Sequence, residues 1–356
     1  MKILLVRPRL IGDVLLTTPV IRALRRRYPH ADLVYLVEDL AAPVVTSNPH
    51  VTETIIIRHR KGWRRLLADL SLARRLRARR FDVAIDMHGG PRSAWLTFAS
   101  RAPVRVGYDV SGRTWMYTRV VPRPRGYAPR HSVRNQWDLL RAVDPSCGEA
   151  PDPDRDRIEM PVPAAARQNV AERLTAAGLT SADQIVVIHP GAGNEFRRWP
   201  ESSFAEVARV LASEHTHRVA VVVGSAGEGS AVARVAGAAR ATAADRPVRI
   251  IEAVGWPLPE LAALLERAVL FVGGDSGPMH VAATTAVPIV TVFGPTLPVH
   301  WSPWRPAHLP FVAVEPEALS CRPCDQRVCA PGDFRCLRRT AAAQVIDAAR
   351  RLLETR

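Results

Sequence analysis

Long apolar runs are the first thing this 356-residue chain lacks. A membrane-spanning helix needs about 18–20 uninterrupted apolar residues, and the longest candidate, Val281 to Gly294, is broken by Pro288. The N-terminus offers only Ile3–Val6 before Arg7-Pro8-Arg9, too short for the roughly 7–15-residue core of a secretory signal. The expectation is a cytoplasmic protein that meets a membrane only at its surface. Cysteine is scarce as well: five residues, four of them late, do not make a secreted disulfide scaffold at this size. Aromatic residues are 6% of the total and are not interleaved with arginine as a base-stacking platform. No RNA-recognition, KH, zinc-finger or basic-zipper pattern accompanies them, so a nucleic-acid-binding protein is an alternative sustained only by net charge and the arginine runs 25–27, 74–80 and 119–134.

What is present begins with that charge, +15 from 49 basic and 34 acidic residues. Residues 1–150 hold 27 Lys/Arg against 12 Asp/Glu, whereas residues 151–356 hold 22 of each. The length suits two domains of roughly 150–180 residues, and the uneven charge points to halves with different partners. Short β-branched runs alternate with amphipathic stretches throughout. Strands are expected at Ile3–Val6, Leu33–Val37, Thr54–Ile57, Val83–Ile85 and Val104–Val106, with helices near 13–27, 63–79, 91–99 and 132–143. In the second half the strands are Ile185–Ile188, Val219–Val223, Arg249–Ile251, Leu270–Val272 and Ile289–Val292, with helices near 201–214, 228–240, 258–267 and 277–285. A helix over about 340–354 closes the chain, and residues 145–165, rich in Pro and Asp, read as the linker. Strands alternating with helices mean right-handed βαβ units and a parallel sheet. The fold class is α/β: two Rossmann-like, doubly wound domains, 1–160 and 161–339, facing a cleft. Ligands of such domains bind beyond the carboxyl ends of the strands.

The loaded segments lie at those places. Pro8-Arg9-Leu10-Ile11-Gly12-Asp13 follows the first strand; Asp13 is either a plain helix cap or a general base that takes a proton from a hydroxyl nucleophile. His189-Pro190-Gly191-Ala192-Gly193 is followed by Arg197 and Arg198. Glycines admit a ligand close to the backbone and guanidinium forks suit phosphate. Dinucleotide and Walker patterns both fail here. Gly273-Gly274-Asp275-Ser276-Gly277-Pro278 has the look of a serine-hydrolase turn, but the nucleophile-elbow spacing is broken by Pro278. The better reading is a phosphate held by backbone N–H groups of 276–278 at a helix start, with Asp275 accepting from sugar hydroxyls. His280, one turn on, faces the ligand or is a structural histidine. Glu228, after the strand ending at Val223, accepts from a ribose or simply starts a helix.

Taken together, RPRLIGDVLLTTPVIRALRRRYP, IHPGAGNEFRRWP, VVGSAGE, FVGGDSGPMHVAATTAVPIVTVFGPT and CRPCDQRVCAPGDFRCL resemble the lipopolysaccharide heptosyltransferase family of glycosyltransferases. The resemblance spans most of the chain. It implies a GT-B fold, with the acceptor on the N-terminal domain, the nucleotide sugar on the C-terminal one, and the closing helix (340–356) packing back on the first. It implies inverting, metal-independent transfer of heptose from ADP-L-glycero-D-manno-heptose to an anionic lipid-linked inner-core acceptor, at the inner face of the cytoplasmic membrane and with no catalytic cofactor. By position, Asp13 matches the catalytic base, Glu228 the ribose-binding residue, and Asp275, Ser276, Gly277 and His280 the donor loop, beside Gly191 and Gly193. Arg197 stands where the family often has lysine, and would stabilise the departing diphosphate. On the basic half, Arg9, His88, Arg113 and His131 are the acceptor candidates. Arginines within 58–80 or 113–134 would line the acceptor site or touch the membrane.

Cys321, Cys324, Cys329 and Cys336 place four thiols within sixteen residues. That spacing suits a structural zinc ion or an iron–sulfur cluster; a reduced or partly disulfide-bonded loop is the other reading. Two further functional alternatives remain: a related transferase using another nucleotide sugar or glycan, and a nucleotide-sugar epimerase of the same architecture.

Overall fold

The hydrophobic runs read above become the central strands of two parallel sheets, buried on both faces as such strands must be. A computed structural model describes residues 1–58, 62–123, 128–148, 150–241 and 248–354; Arg60, Lys61 and Arg125, part of the arginine-rich stretches, lie outside the described residues. The chain divides into two units, Met1–Pro161 and Val162–Arg356.

The first unit contains β1 (Lys2–Val6), α1 (Ile11–Leu15), α2 (Thr18–Arg27), β2 (Asp32–Glu38), α3 (Pro43–Thr46), β3 (Glu53–Ile57) and α4 (Gly62–Ala78). It continues with β4 (Val83–Asp86), α5 (Pro91–Ala99), β5 (Val104–Tyr108), β6 (Arg119–Val121) and α6 (Ser132–Val143). The second has α7 (Ala164–Ala176), β7 (Gln184–His189), α8 (Glu201–Ser213), β8 (Arg218–Gly224), α9 (Gly229–Ala241), β9 (Ile250–Val254) and α10 (Leu258–Arg267). After these come β10 (Ala268–Gly274), α11 (Gly277–Ala282), β11 (Ile289–Val292), α12 (Pro298–Trp301), β12 (Phe311–Val314), α13 (Arg335–Arg338) and α14 (Ala342–Glu354).

The strand orders are β3-β2-β1-β4-β5-β6 and β12-β11-β10-β7-β8-β9. Each is the doubly wound order whose direction reverses between its first and fourth strands, and ligands sit at that switch point. Register fixes the two places. Val6 pairs with both Leu36 and Asp86, so the chain after β1 runs beside the end of β4. Likewise Gly273 pairs with His189, which puts the ends of β7 and β10 side by side.

The expected α/β class is therefore found, with four local differences. Six strands per unit replace five because the edge strands β6 and β12 are short, and β6 is largely exposed (burial falls only on Val121). Such edges leave little hydrophobic pattern to read. The helix expected over 13–27 is two, parted at Leu16-Thr17, with Thr17 Oγ1 donating to the Val14 carbonyl (2.7 Å) and Pro19 in the first turn of α2. The front of the expected linker belongs to the first unit. Arg22 pairs with Glu159 (2.6 Å) and Arg26 with the buried Asp156 (2.5 Å). The fourth concerns the closing helix, expected against the first unit: α14 belongs to the second, where it buries Val345, Ile346, Ala349 and Leu352 in a core with Trp199, Phe204, Val290 and Val292. The Trp199 indole N–H donates to the Thr340 carbonyl (3.0 Å) and Arg350 pairs with Glu214 (2.8 Å).

Candidate active site

At the switch point of the first unit, the turn after β1 delivers Asp13 into the first turn of α1. Its carboxylate pairs with Arg7 (2.7 Å) and accepts from the Leu10 backbone N–H (3.3 Å). Arg7 is buried and also donates to the Met87 carbonyl, which ties the β1 turn to the end of β4. His88 follows there. Burial, then the nearby positive charges of Arg7, Arg9 and Arg123, push its imidazole down to about 4, so it is neutral near pH 7. Beneath it lies the fully buried Asp86, accepting from Tyr117 Oη (2.6 Å), Ser93 Oγ (3.0 Å) and the N–H groups of His88 and Gly89 (both 2.9 Å). Burial raises the Asp86 carboxyl above its usual range, against the pull of those four bonds. Tyr117 reaches it only because residue 107 is glycine, where an added Cβ would lie 2.3 Å from the ring.

Of the acceptor candidates, Arg9 is exposed and acts on His88 electrostatically. Arg113 lies between β5 and β6, within electrostatic reach of Tyr117. His131 is 8% exposed and caps α6, its Nδ1 accepting from the Val133 N–H (3.2 Å). Helix capping accounts for its place in the fold. The Asp86–Ser93–Tyr117 network escaped the sequence reading; its one signal is an acidic residue ending a buried strand.

In the second unit five of the expected residues, Gly191, Glu228, Ser276, Asp275 and Arg197, join His189 in one connected string. Gly191 lies so close to Glu228 that an added Cβ would sit 1.9 Å from Oε1. Glu228 Oε2 accepts from Ser225 N–H (2.8 Å) and Oγ (2.7 Å) and lies 3.8 Å from His189 Nε2. The adjacent His189 and these bonds hold the Glu228 carboxyl at about 2. His189 Nδ1 is 3.3 Å from Ser276 Oγ. Next to Ser276, Asp275 is 3% exposed and accepts from Thr296 Oγ1 (2.7 Å) while pairing with Arg197 (3.3 Å). Arg197 Nε in turn donates to Gln326 Oε1 (2.7 Å).

Asp275, expected to accept from sugar hydroxyls, also has a structural part: its buried carboxylate anchors the Arg197 guanidinium. Gly277 begins α11, which is only six residues long, so backbone N–H groups of its first turn are what it offers an anion. Gly193 is exposed, with open space where a side chain would point. His280 is buried within α11. Thr296 and Gln326 lie within the segments that carry the family resemblance, but neither was singled out, because only the fold brings their side chains to Asp275 and Arg197.

The cysteines require a correction. Cys321, Cys324, Cys329 and Cys336 are free thiols lining one cavity of about 50 Å³ with Phe196 and Phe334. Among the described residues no group of three or more His, Cys, Asp or Glu is placed to hold a metal ion, so the zinc or iron–sulfur expectation is not supported. Burial and the neighbouring sulfurs push the Cys336 thiol up to about 11. The segment is held by other means: Arg322 donates to the carbonyls of Gly294 (2.5 Å) and Thr296 (2.7 Å), and the Phe196 and Phe334 rings meet at 5.2 Å.

Two Rossmann-like sheets, each with polar groups gathered at its switch point, are the architecture of the GT-B fold. Residues 70–332 match the model of glycosyltransferase family 9 (heptosyltransferase), and the chain belongs to that family; it is a glycosyltransferase. It is 28% identical over 323 residues to lipopolysaccharide heptosyltransferase 3 of Escherichia coli, covering 89% of each chain. Its fold is similar to that of the family 9 glycosyltransferase from Veillonella parvula (TM-score 0.81, 24% identity, 100% of this chain and 97% of that one). It is also similar to E. coli heptosyltransferase WaaC solved with ADP (TM-score 0.71, 20% identity, 99% and 100%).

Proposed function

We propose that this chain transfers heptose from ADP-L-glycero-D-manno-heptose to a lipopolysaccharide inner-core acceptor, in one inverting, metal-independent displacement at a membrane surface. The observation that carries the reading is the string Gly191–Glu228–His189–Ser276–Asp275–Arg197 at the second unit's switch point. It combines a carboxylate kept ionised with an anchored guanidinium, as a nucleoside diphosphate requires: the carboxylate accepts from ribose hydroxyls and the guanidinium meets phosphate. Two similarities support this donor: WaaC was solved with ADP bound, and the E. coli relative is a lipopolysaccharide heptosyltransferase.

The chemistry balances without a covalent intermediate. Asp13 takes the proton of an acceptor hydroxyl, whose oxygen attacks the anomeric carbon. The bond from that carbon to the diphosphate oxygen breaks with inversion, and ADP leaves with the electron pair. Negative charge grows on the diphosphate as the bond breaks. Arg197 and the first-turn N–H groups of α11 stabilise it there, in the place a divalent cation would otherwise take. Incubating the protein with ADP-heptose, ADP-hexoses and GDP-sugars plus a heptose-deficient core acceptor, read by mass spectrometry, tests this. Addition of one heptose from ADP-heptose is expected; transfer from another nucleotide sugar only would replace the donor.

A further inference from the structure

Helix α4 carries an outer face that nothing among the described residues of the first unit covers. Trp63, Leu66, Leu67 and Leu70 are 68%, 61%, 56% and 38% exposed. They stand at i, i+3, i+4 and i+7, one stripe of a helix. Continuing that stripe by four and by seven residues from Leu70 reaches Arg74 and Arg77, both exposed. Arg64 and Arg75 lie to one side of it. The opposite side of α4 is what holds the helix to the sheet: Leu72 and Leu76 enter the core with Leu36 and Ile57. The helix's one carboxylate, Asp69, is buried and pairs with Arg92 (2.7 Å) and Arg65 (3.7 Å). No carboxylate therefore balances the outer arginines on this face, and Arg74, Arg75 and Arg77 have no ion pair among the described residues. Arg64 lies over the Trp63 ring at 5.5 Å.

We infer that α4 is a membrane-docking helix whose occupant is an anionic lipid bilayer. Charge complementarity selects it. A second copy would set arginines against arginines, and a nucleic acid would leave four large apolar side chains without a partner. A bilayer interface takes both: Trp and Leu enter the acyl boundary, while arginine stems lie along it with their heads at phosphate. The inference deepens the lipid-linked acceptor reading, yet vesicle binding is measured without a sugar donor, so the two fail separately.

The test is sedimentation of the full chain with phosphatidylglycerol–phosphatidylethanolamine vesicles and with phosphatidylcholine vesicles. Preference for the anionic vesicles, weakened by salt, is expected. Trp63→Ser/Leu66→Ser/Leu67→Ser should lower partitioning by roughly tenfold or more, and Arg74→Gln/Arg77→Gln by about fivefold per arginine. Absent or equal binding to both vesicles overturns the inference, as does unchanged binding of either variant. A dimer that the triple variant converts to monomer also overturns it and makes the face a protein interface. Should the triple variant not fold, quenching by brominated lipid decides: loss in Trp63→Phe supports docking, and undiminished quenching refutes it.

Discussion

The two units are wound alike and charged differently. Both follow the same doubly wound order, and both gather polar groups where that order reverses. Yet the first holds 29 basic against 16 acidic residues, and the second 20 against 18. Much of the first unit's excess is engaged inside it. Arg25 donates to the carbonyls of Pro29, Ala31 and His50, while Arg26 and Arg27 pair with Asp156 and Asp144. The arginine run 25–27 is thus structural, whereas Arg74, Arg75 and Arg77 of α4 have no ion pair among the described residues and are those the docking proposal uses. In the second unit the informative arginine is a single one, Arg197, gripped by Asp275 and Gln326. Net charge alone hides this distinction between diffuse attraction and one fixed cation.

If the units divide the work as proposed, damage to one should leave the other's task standing. The largest effect belongs to Asp13→Asn, which removes the base. Turnover should fall by roughly 10²–10⁴-fold while ADP affinity, measured by calorimetry, stays within twofold. Loss of ADP binding together with turnover would deny Asp13 the base role. Gly191→Ala is the mirror experiment on the second unit. Its Cβ cannot sit 1.9 Å from Glu228, so the loop or the carboxylate must move, at about 1–3 kcal/mol. ADP should bind roughly tenfold more weakly, and the first unit's vesicle binding should not change. Unaltered ADP affinity would detach Glu228 from the nucleotide.

The smallest effect sharpens the electrostatic side of the comparison. Unfolded histidine takes a proton near pH 6.5, whereas His88 in the fold takes one only near 4. Between those values the unfolded chain binds more protons, so stability falls as pH falls, and the loss levels off below about 4. The penalty reaches roughly 1 kcal/mol by about pH 5.5. His88→Gln should reduce the loss of stability between pH 7.5 and 5.5 by that amount, read from denaturant midpoints. An identical pH dependence in the variant would mean that His88 titrates normally.

Much of this was legible in the chain itself. Central parallel strands are buried on both faces, so Ile3–Val6, Val219–Val223 and Leu270–Val272 announce themselves as unbroken apolar runs, and ligand-facing residues follow strand ends. The positions of Asp13, Gly191, Glu228, Asp275 and Arg197 came from that logic. Of the edge strands that were missed, β6 is three residues with only Val121 buried, and β12, though apolar throughout, is four residues and mostly half-buried.

Local sequence and periodicity determined the α/β class, the twofold winding, the charge asymmetry and the glycine-rich turns, because each depends on residues within a few positions of one another. Tertiary structure decided what depends on long-range pairing. It paired Asp275 with Arg197, brought Thr296 and Gln326 to the donor string, and seated α14 in the second unit through its apolar face. It also drew four thiols round a cavity without placing them as a metal site, and left the stripe from Trp63 to Leu70 uncovered. A helix pattern shows which residues share a face; only packing decides which face the protein buries and which it leaves for a partner.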